Sequence, residues 1–297
     1  MTELRDPVGL RVLYAVMGLA AWLGYRLFGL RRAVIRGNLE RSFPEWSRER
    51  IRQVEREFAR RQGELLAELL YTQRLSADAV RARVVIANPA LITSAAPGRA
   101  AMLAAAHQNN FEWALQRVSL EISAGMYGLY KPIRNPRVDA WFRSMRQRFG
   151  SQLIPAKSVL RVLARNRDCA VLGIVADQAP TTSRQKYWTA FLGQDTAFYM
   201  GPELLIRPLR AQVLYTRVRR VARGRYEVSF EPLHERGEAL PQGEVTERYA
   251  RTLEAEIRAD PAGWWWSHKR WKLKREGTAE RGQGTADRGQ GTGDRGQ

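Results

Sequence analysis

Cysteine, histidine and acidic residues are the scarce components of this chain, and each scarcity removes a class of chemistry. A single cysteine in 297 residues, Cys169, leaves no internal disulfide and no multi-cysteine metal site. The chain is therefore compatible with a reducing cytoplasm. Cys169 precedes an apolar run and reads as a small core residue, not a thiol nucleophile. Three histidines, His107, His234 and His268, form no H-x-x-x-H or H-E-x-x-H pair, so no metal is expected. Acidic residues number 30 against 49 Lys and Arg, a formal net charge of +19. Such an excess seeks a polyanion, either nucleic acid or an anionic membrane surface.

Long apolar runs are scarce too, and the one present argues for the membrane. Residues 12–30 carry a single charge, Arg26, over 19 positions, close to the length a spanning helix needs. The run has no small-residue cleavage site and is followed by Arg31, Arg32 and Arg36, so it is a poor signal peptide. The basic flank puts the rest of the chain on the cytoplasmic side. Arg26, Gly24 and Gly29 leave open a helix that lies in the interface instead of crossing. Nucleic acid gives no reason for such a helix and is not expected as a partner.

Behind the anchor, residues 47–71 read as an amphipathic helix, with Ile51, Val54, Phe58, Leu65, Leu66 and Leu69 near helical spacing. Residues 84–86 and 100–106 read as strands, 138–149 and 158–165 as helices, and 170–176 as a buried strand stopping abruptly at Asp177 and Gln178. A polar loop over 181–186 and a short helix over 202–209 follow. Strands over 213–218 and 226–230 pair around Arg223 and Gly224, a helix covers 246–258, and an aromatic-basic cluster fills 264–274. The cluster, with Trp264, Trp265, Trp266 and Trp271, suits either an interfacial belt or a packed cap on the domain; His268 belongs with the cap. From residue 277 the chain is a low-complexity Gly, Gln, Arg and Asp tail with nothing to bury. The alternation of short strands and helices predicts an α/β fold with a mixed β-sheet flanked by helices. The expected division is a membrane-anchoring helix over 1–30, one domain over 31–276 and a disordered tail over 277–297.

The most informative motif is His107, Gln108, Asn109, Asn110, Phe111, Glu112, directly after the first buried strand. On a continuous helix five positions turn through about 140° and separate His107 from Glu112. With His107 ending the strand and Glu112 in the first turn of the next helix, the two can meet, and a carboxylate can hold an imidazole in the tautomer of a general base. No protein nucleophile accompanies them, so the nucleophile would be a substrate hydroxyl. The alternative is a capping box from Asn109 to Glu112.

These pieces resemble, in order, the late acyltransferases of lipid A biosynthesis, the lauroyl and myristoyl transferases, within the glycerolipid-acyltransferase-like group that shares a His-x4-Asp/Glu signature. The likeness covers about residues 8–274. It is carried by the apolar helix, Asn38 and Leu39, Phe43 and Pro44, the His107 to Glu112 motif, Tyr130 to Pro132, Asn135 and Pro136, Asp177 and Gln178, Phe191 to Gly193, Gly201, and Trp264 to Lys272. The chain departs from the pattern at Asn110 and Phe111, at Lys131 and over 197–200. The resemblance implies transfer of a fatty acyl group from an acyl-carrier-protein thioester to a hydroxyl of a glycolipid acceptor at an anionic inner membrane, with the catalytic domain on the cytoplasmic side; the alternative acceptor is a lysophospholipid or another lipid hydroxyl. No cofactor is implied, because the thioester is already activated. His107 becomes the expected base and Glu112 its orienter. Asn109 and Asn110 become expected oxyanion donors, Lys131, Arg134 and Arg207 contacts for acceptor phosphates, and Asp177 and Gln178 further site residues.

Overall fold

The computed structural model describes residues 6–29, 31–95, 100–122, 125–165, 170–180 and 186–275. Its helices are α1 (Val8–Arg26), α2 (Arg32–Ser42), α3 (Arg48–Tyr71), α4 (Ala77–Arg83), α5 (Ala90–Thr93), α6 (Phe111–Ser119), α7 (Pro136–Arg146), α8 (Val159–Arg165), α9 (Gly201–Leu209) and α10 (Glu244–Ala259). Its strands are β1 (Val84–Ile86), β2 (Ala101–Ala105), β3 (Met126–Tyr130), β4 (Gln152–Pro155), β5 (Val171–Val175), β6 (Lys186–Phe191), β7 (Gln194–Tyr199), β8 (Gln212–Ala222) and β9 (Arg225–His234). Cys169, residues 181–185 of the expected polar loop and the tail over 277–297 lie outside the described residues.

Seven strands form one sheet in the order β1, β9, β8, β2, β5, β3, β4, parallel except for the antiparallel β8 and β9 pair. The expected mixed α/β sheet flanked by helices is present. Helices cover the β2 and β5 strands on both faces, so both strands read as continuous apolar runs. Side chains alternate across the sheet: Met102, Ala104, Leu172 and Ile174 enter the larger core with α3 and α10, while Ala101, Leu103 and Val171 enter a second core with α6.

Two strands between the predicted helices escape a reading by hydrophobic runs. β3 carries Gly128 at its centre, and β4 is four residues long and ends in Pro155. The separate β6 and β7 hairpin also goes unread; it turns at Leu192 and Gly193, both at positive φ, a primed turn that suits the strand twist.

The aromatic-basic segment is a cap. Trp264 and Trp266 are buried and pack edge to face at 4.7 Å. Asn38 of α2 holds the segment by donating to the carbonyls of Trp266 at 2.9 Å and His268 at 3.0 Å. Arg270 stacks on Phe198 at 4.5 Å and donates to the Ala197 carbonyl at 2.8 Å. A membrane belt needs exposed rings, so the packing excludes that reading for Trp264 and Trp266.

The helix α1 is long and apolar enough, by length and composition, to cross a membrane. It lies along α3, with Leu10 and Tyr14 buried against Ala67. Gly63 of α3 permits this approach, since a Cβ there would come within 2.7 Å of the Met17 carbonyl oxygen.

Candidate active site

Two neighbouring parallel strands bring the reactive groups together. β2 and β5 pair with Ala105 opposite Val175, and His107 and Asp177 each follow two residues later. Equal overhangs from a parallel register land side by side at the carboxyl edge, where open α/β sheets place their ligands. Asp177 Oδ1 lies 2.6 Å from His107 Nδ1, and Asp177 Oδ2 accepts from Trp264 Nε1 at 2.8 Å. The buried carboxylate thus fixes Nδ1 as the protonated nitrogen and leaves Nε2 as the nitrogen that carries the lone pair. Gln178 Nε2 sits 3.2 Å from His107 Nε2, donating to that lone pair. Phe111 and Trp265 flank the imidazole edge to face, with ring centroids at 5.2 and 5.6 Å.

The electrostatics reinforce the pairing. Burial alone would push the His107 pKa down; the charge and hydrogen bond of Asp177, with the charge of Glu112 added, outweigh it and hold the imidazole above its usual value. Burial would likewise raise the Asp177 pKa, but His107 and the Trp264 donor hold it below the usual carboxylate value.

Glu112 does not hydrogen-bond His107. It sits buried in the first turn of α6, and its carboxylate takes a forked pair from Arg146 of α7, with Nε 2.9 Å from Oε2 and Nη2 2.5 Å from Oε1. The expectation that Glu112 orients the imidazole is corrected: Asp177 occupies Nδ1, and Glu112 reaches His107 only through its field. The capping box is corrected too, because the cap of α6 is Asn110, whose Oδ1 accepts from Trp113 N at 2.9 Å.

The two asparagines hold the turn. Asn109 takes positive φ, 49°, its N–H donates to the Gly263 carbonyl at 2.8 Å, and its amide donates to the Val218 carbonyl at 2.8 Å. Asn110 donates to the buried Glu68 of α3 at 2.7 Å, and Glu68 also accepts from Tyr226 at 2.7 Å and from Tyr14 of α1 at 2.9 Å. Both amides are therefore committed within the fold.

Beneath the histidine a cavity of about 410 Å³ opens between α6 and the sheet. Leu103, Leu115, Val118, Met126, Leu129 and Val175 line it, with Gly128 and Gly173 on its strand floor and His107, Glu112, Lys131, Arg146 and Gln178 among the polar groups around it. Gly173 matters because a Cβ there would project beside Met126 Cε, 3.6 Å away. Lys131 borders this cavity and is exposed, as is Arg134. Arg207 is exposed on α9 and is not among the residues that line it. Sequence reasoning missed Arg146, which stands 34 residues from Glu112 with no local pattern joining them. It also missed Glu68, whose only signal was a carboxylate in the apolar part of α3.

No curated protein matches the chain. A family model, bacterial lipid A biosynthesis acyltransferase, matches residues 8–273.

Proposed function

The chain belongs to the bacterial lipid A biosynthesis acyltransferase family, and from that premise we propose that this acyltransferase moves a fatty acyl chain from an acyl-carrier-protein thioester to a hydroxyl of a lipid A precursor on the cytoplasmic side of the inner membrane. The observation that carries the mechanism is the 2.6 Å contact of His107 Nδ1 with Asp177, which readies Nε2 beside an apolar cavity of about 410 Å³.

The acyl chain occupies that cavity, whose size falls in the range of small-ligand sites. The acceptor hydroxyl meets His107 Nε2 in place of Gln178 and attacks the thioester carbonyl. A C–O bond forms, the hydroxyl proton passes to Nε2, and the C–S bond breaks with the proton returned to the leaving thiolate. Asp177 keeps the imidazole in the productive tautomer and stabilises it once protonated, work of a kind that brings on the order of 10² to 10⁴ in rate. The oxyanion is assigned to the backbone N–H groups that open α6, where the helix dipole favours negative charge. The displaced Gln178 amide is a further donor. Asn109 and Asn110 serve this step by fixing the turn, since their amides are spent on Val218 and Glu68. Arg146 neutralises Glu112, so that its carboxylate does not oppose the developing oxyanion.

Lys131 and Arg134 are proposed to meet acceptor phosphates, as exposed cations at and near the cavity. Arg207, expected as a third phosphate contact, lies on α9 outside the cavity lining and is given no part in this step. The helix α1 and its basic flank hold the enzyme on anionic inner-membrane lipid.

The test supplies membranes containing the protein with carrier-protein and coenzyme A thioesters of one chain length, each with a phosphorylated glucosamine lipid or a lysophospholipid. Mass spectrometry should find one added ester-linked chain on the glucosamine lipid, formed faster from the carrier-protein donor. Ester formation on the lysophospholipid alone would refute the acceptor, and a coenzyme A preference would refute the donor.

A further inference from the structure

Membrane attachment, as read above, leaves the posture of α1 open, and the packing of this helix bears on it directly. Val8, Val12, Val16, Leu19 and Trp22 recur at helical spacing and are between 50% and 74% exposed. They form an apolar stripe on the side away from α3. The opposite side is tied down along its length: Asp6, just ahead of the helix, pairs with the buried Arg83 at 2.8 Å, Tyr14 donates to the buried Glu68 at 2.9 Å, and Tyr25 packs on the main core. Arg32 of α2 lies over the Tyr25 ring at 5.4 Å.

We infer that α1 lies in the plane of one leaflet, its Val8, Val12, Val16, Leu19 and Trp22 stripe sunk among the acyl chains of an anionic bilayer, its other face kept on α3, and both ends on the side of the catalytic domain. The length of α1 would allow a crossing, but two observations favour the in-plane posture. Arg11 and Arg26 both stand exposed on α1, and the uncharged stretch between them, residues 12–25, covers about 21 Å at 1.5 Å per residue, short of the ~30 Å hydrocarbon core. A crossing would also draw α3 into the bilayer, because α1 runs antiparallel along it from Tyr71 beside Gly9 to Gly63 beside Met17 and Ala21. Arg60 of α3, exposed and level with the apolar stretch of α1, would then enter hydrocarbon with its partner Glu64. Pulling α1 off α3 instead would strip a donor from Glu68, the same carboxylate that holds Asn110 at the start of α6.

An in-plane helix uses these features together. Its stripe supplies buried apolar area, while Arg11, Arg26, Arg31 and Arg32 reach anionic head groups of a single leaflet. Leu66 and Leu70 of α3, both exposed, flank the seam with α1 and extend the apolar surface. The surface therefore fits lipid and not a polar protein partner.

The test labels single cysteines in the full-length protein with a membrane-impermeant maleimide. Thr2→Cys reports the amino-terminal end and Glu45→Cys, in the exposed turn between α2 and α3, reports the domain, both in a Cys169→Ser background that retains acyl transfer. Right-side-out spheroplasts and inverted inner-membrane vesicles are compared, with detergent-solubilised protein as the full-labelling control. Both positions should label in inverted vesicles and lose labelling in spheroplasts. Labelling of Thr2→Cys from the spheroplast side alone would show a crossing and overturn the in-plane posture while leaving membrane attachment intact. Protection of Thr2→Cys from both sides would place that end inside the bilayer and equally overturn it. Protein that fails to sediment with membranes would instead overturn the attachment on which the proposal rests.

Discussion

Replacing Asp177 with asparagine perturbs the site with almost no change of shape, and its outcome can be worked from two hydrogen bonds. The carboxylate faces His107 Nδ1 at 2.6 Å and Trp264 Nε1 at 2.8 Å. Indole N–H only donates, so an asparagine that satisfies Trp264 must turn its oxygen there and its NH₂ toward Nδ1. That arrangement makes Nδ1 the acceptor, moves the proton to Nε2 and removes the base. The reverse orientation opposes two donors at Trp264. Turnover should fall by about 10² to 10⁴. The charge matters separately. The native His107 pKa is raised, so the acid limb of kcat/KM should lie above the usual histidine value of about 6.5, with activity rising with pH through it. Without the Asp177 charge, the limb for residual activity should move down. Stability carries the opposite signs for the two partners. The raised His107 contributes fully below its unfolded pKa and loses that contribution as pH rises through the folded value; the lowered Asp177 contributes above its unfolded pKa and loses it as pH falls through the folded value. The gap in melting temperature between parent and variant should therefore be widest between roughly pH 4 and 6.5. Initial rates over roughly pH 5 to 9 and calorimetry of both proteins supply the comparison. An Asp177→Asn enzyme with parental turnover and an unmoved acid limb would refute the pairing as the source of the base.

The cavity and the charged groups near it give further expectations. Glu112→Gln should lower the melting temperature as well as activity, by about 3 kcal/mol of stability, because it strands Arg146; adding Arg146→Met should restore much of the stability, and additive losses in the calorimeter would deny the pair. Gly173→Leu should shift acyl preference to shorter chains, each excluded methylene losing about 0.8 kcal/mol, roughly fourfold in kcat/KM, as read by competition between donors of different length. Unchanged chain preference would place the acyl group elsewhere. Replacing Lys131 and Arg134 together with Gln should raise KM for a phosphorylated acceptor and spare that for the donor; equal losses with phosphorylated and dephosphorylated acceptors would remove the phosphate assignment.

The backbone frame was legible where the signal is local. The apolar runs of β2 and β5, the polar stop at Asp177 and the amphipathic α3 each follow from residues adjacent in sequence, and the bounds of these three elements differ from the expected ones by at most a residue, whereas β8 and β9 each run four residues further than expected. Of the candidate site, His107, Asp177 and Gln178 stand out in the sequence and the structure sets them side by side, but the sequence paired His107 with Glu112 where the structure pairs it with Asp177. His107 and Asp177 are joined by a parallel register between segments 70 residues apart, which no local spacing encodes. The five-residue interval from His107 to Glu112 invited a direct pair, but the left-handed turn at Asn109, anchored to Gly263, and the cation from Arg146 give Glu112 a different partner. The tryptophan cluster shows the same limit: aromatic and basic residues compose both a membrane belt and a packed cap, and only Asn38, over two hundred positions away, reveals the cap. The strands β3 and β4 were too short, and too interrupted by glycine and proline, to stand out.

The central claim is that the His107 imidazole takes the proton of the acceptor hydroxyl, and it is tested most directly by acyl transfer with purified His107→Ala in the presence of saturating acyl-carrier-protein thioester and glycolipid acceptor. The account predicts a kcat lower by at least about 10² to 10⁴, a KM for each substrate close to the parental value and an unchanged fold by circular dichroism. A folded His107→Ala enzyme that acylates its acceptor at the parental rate would contradict it.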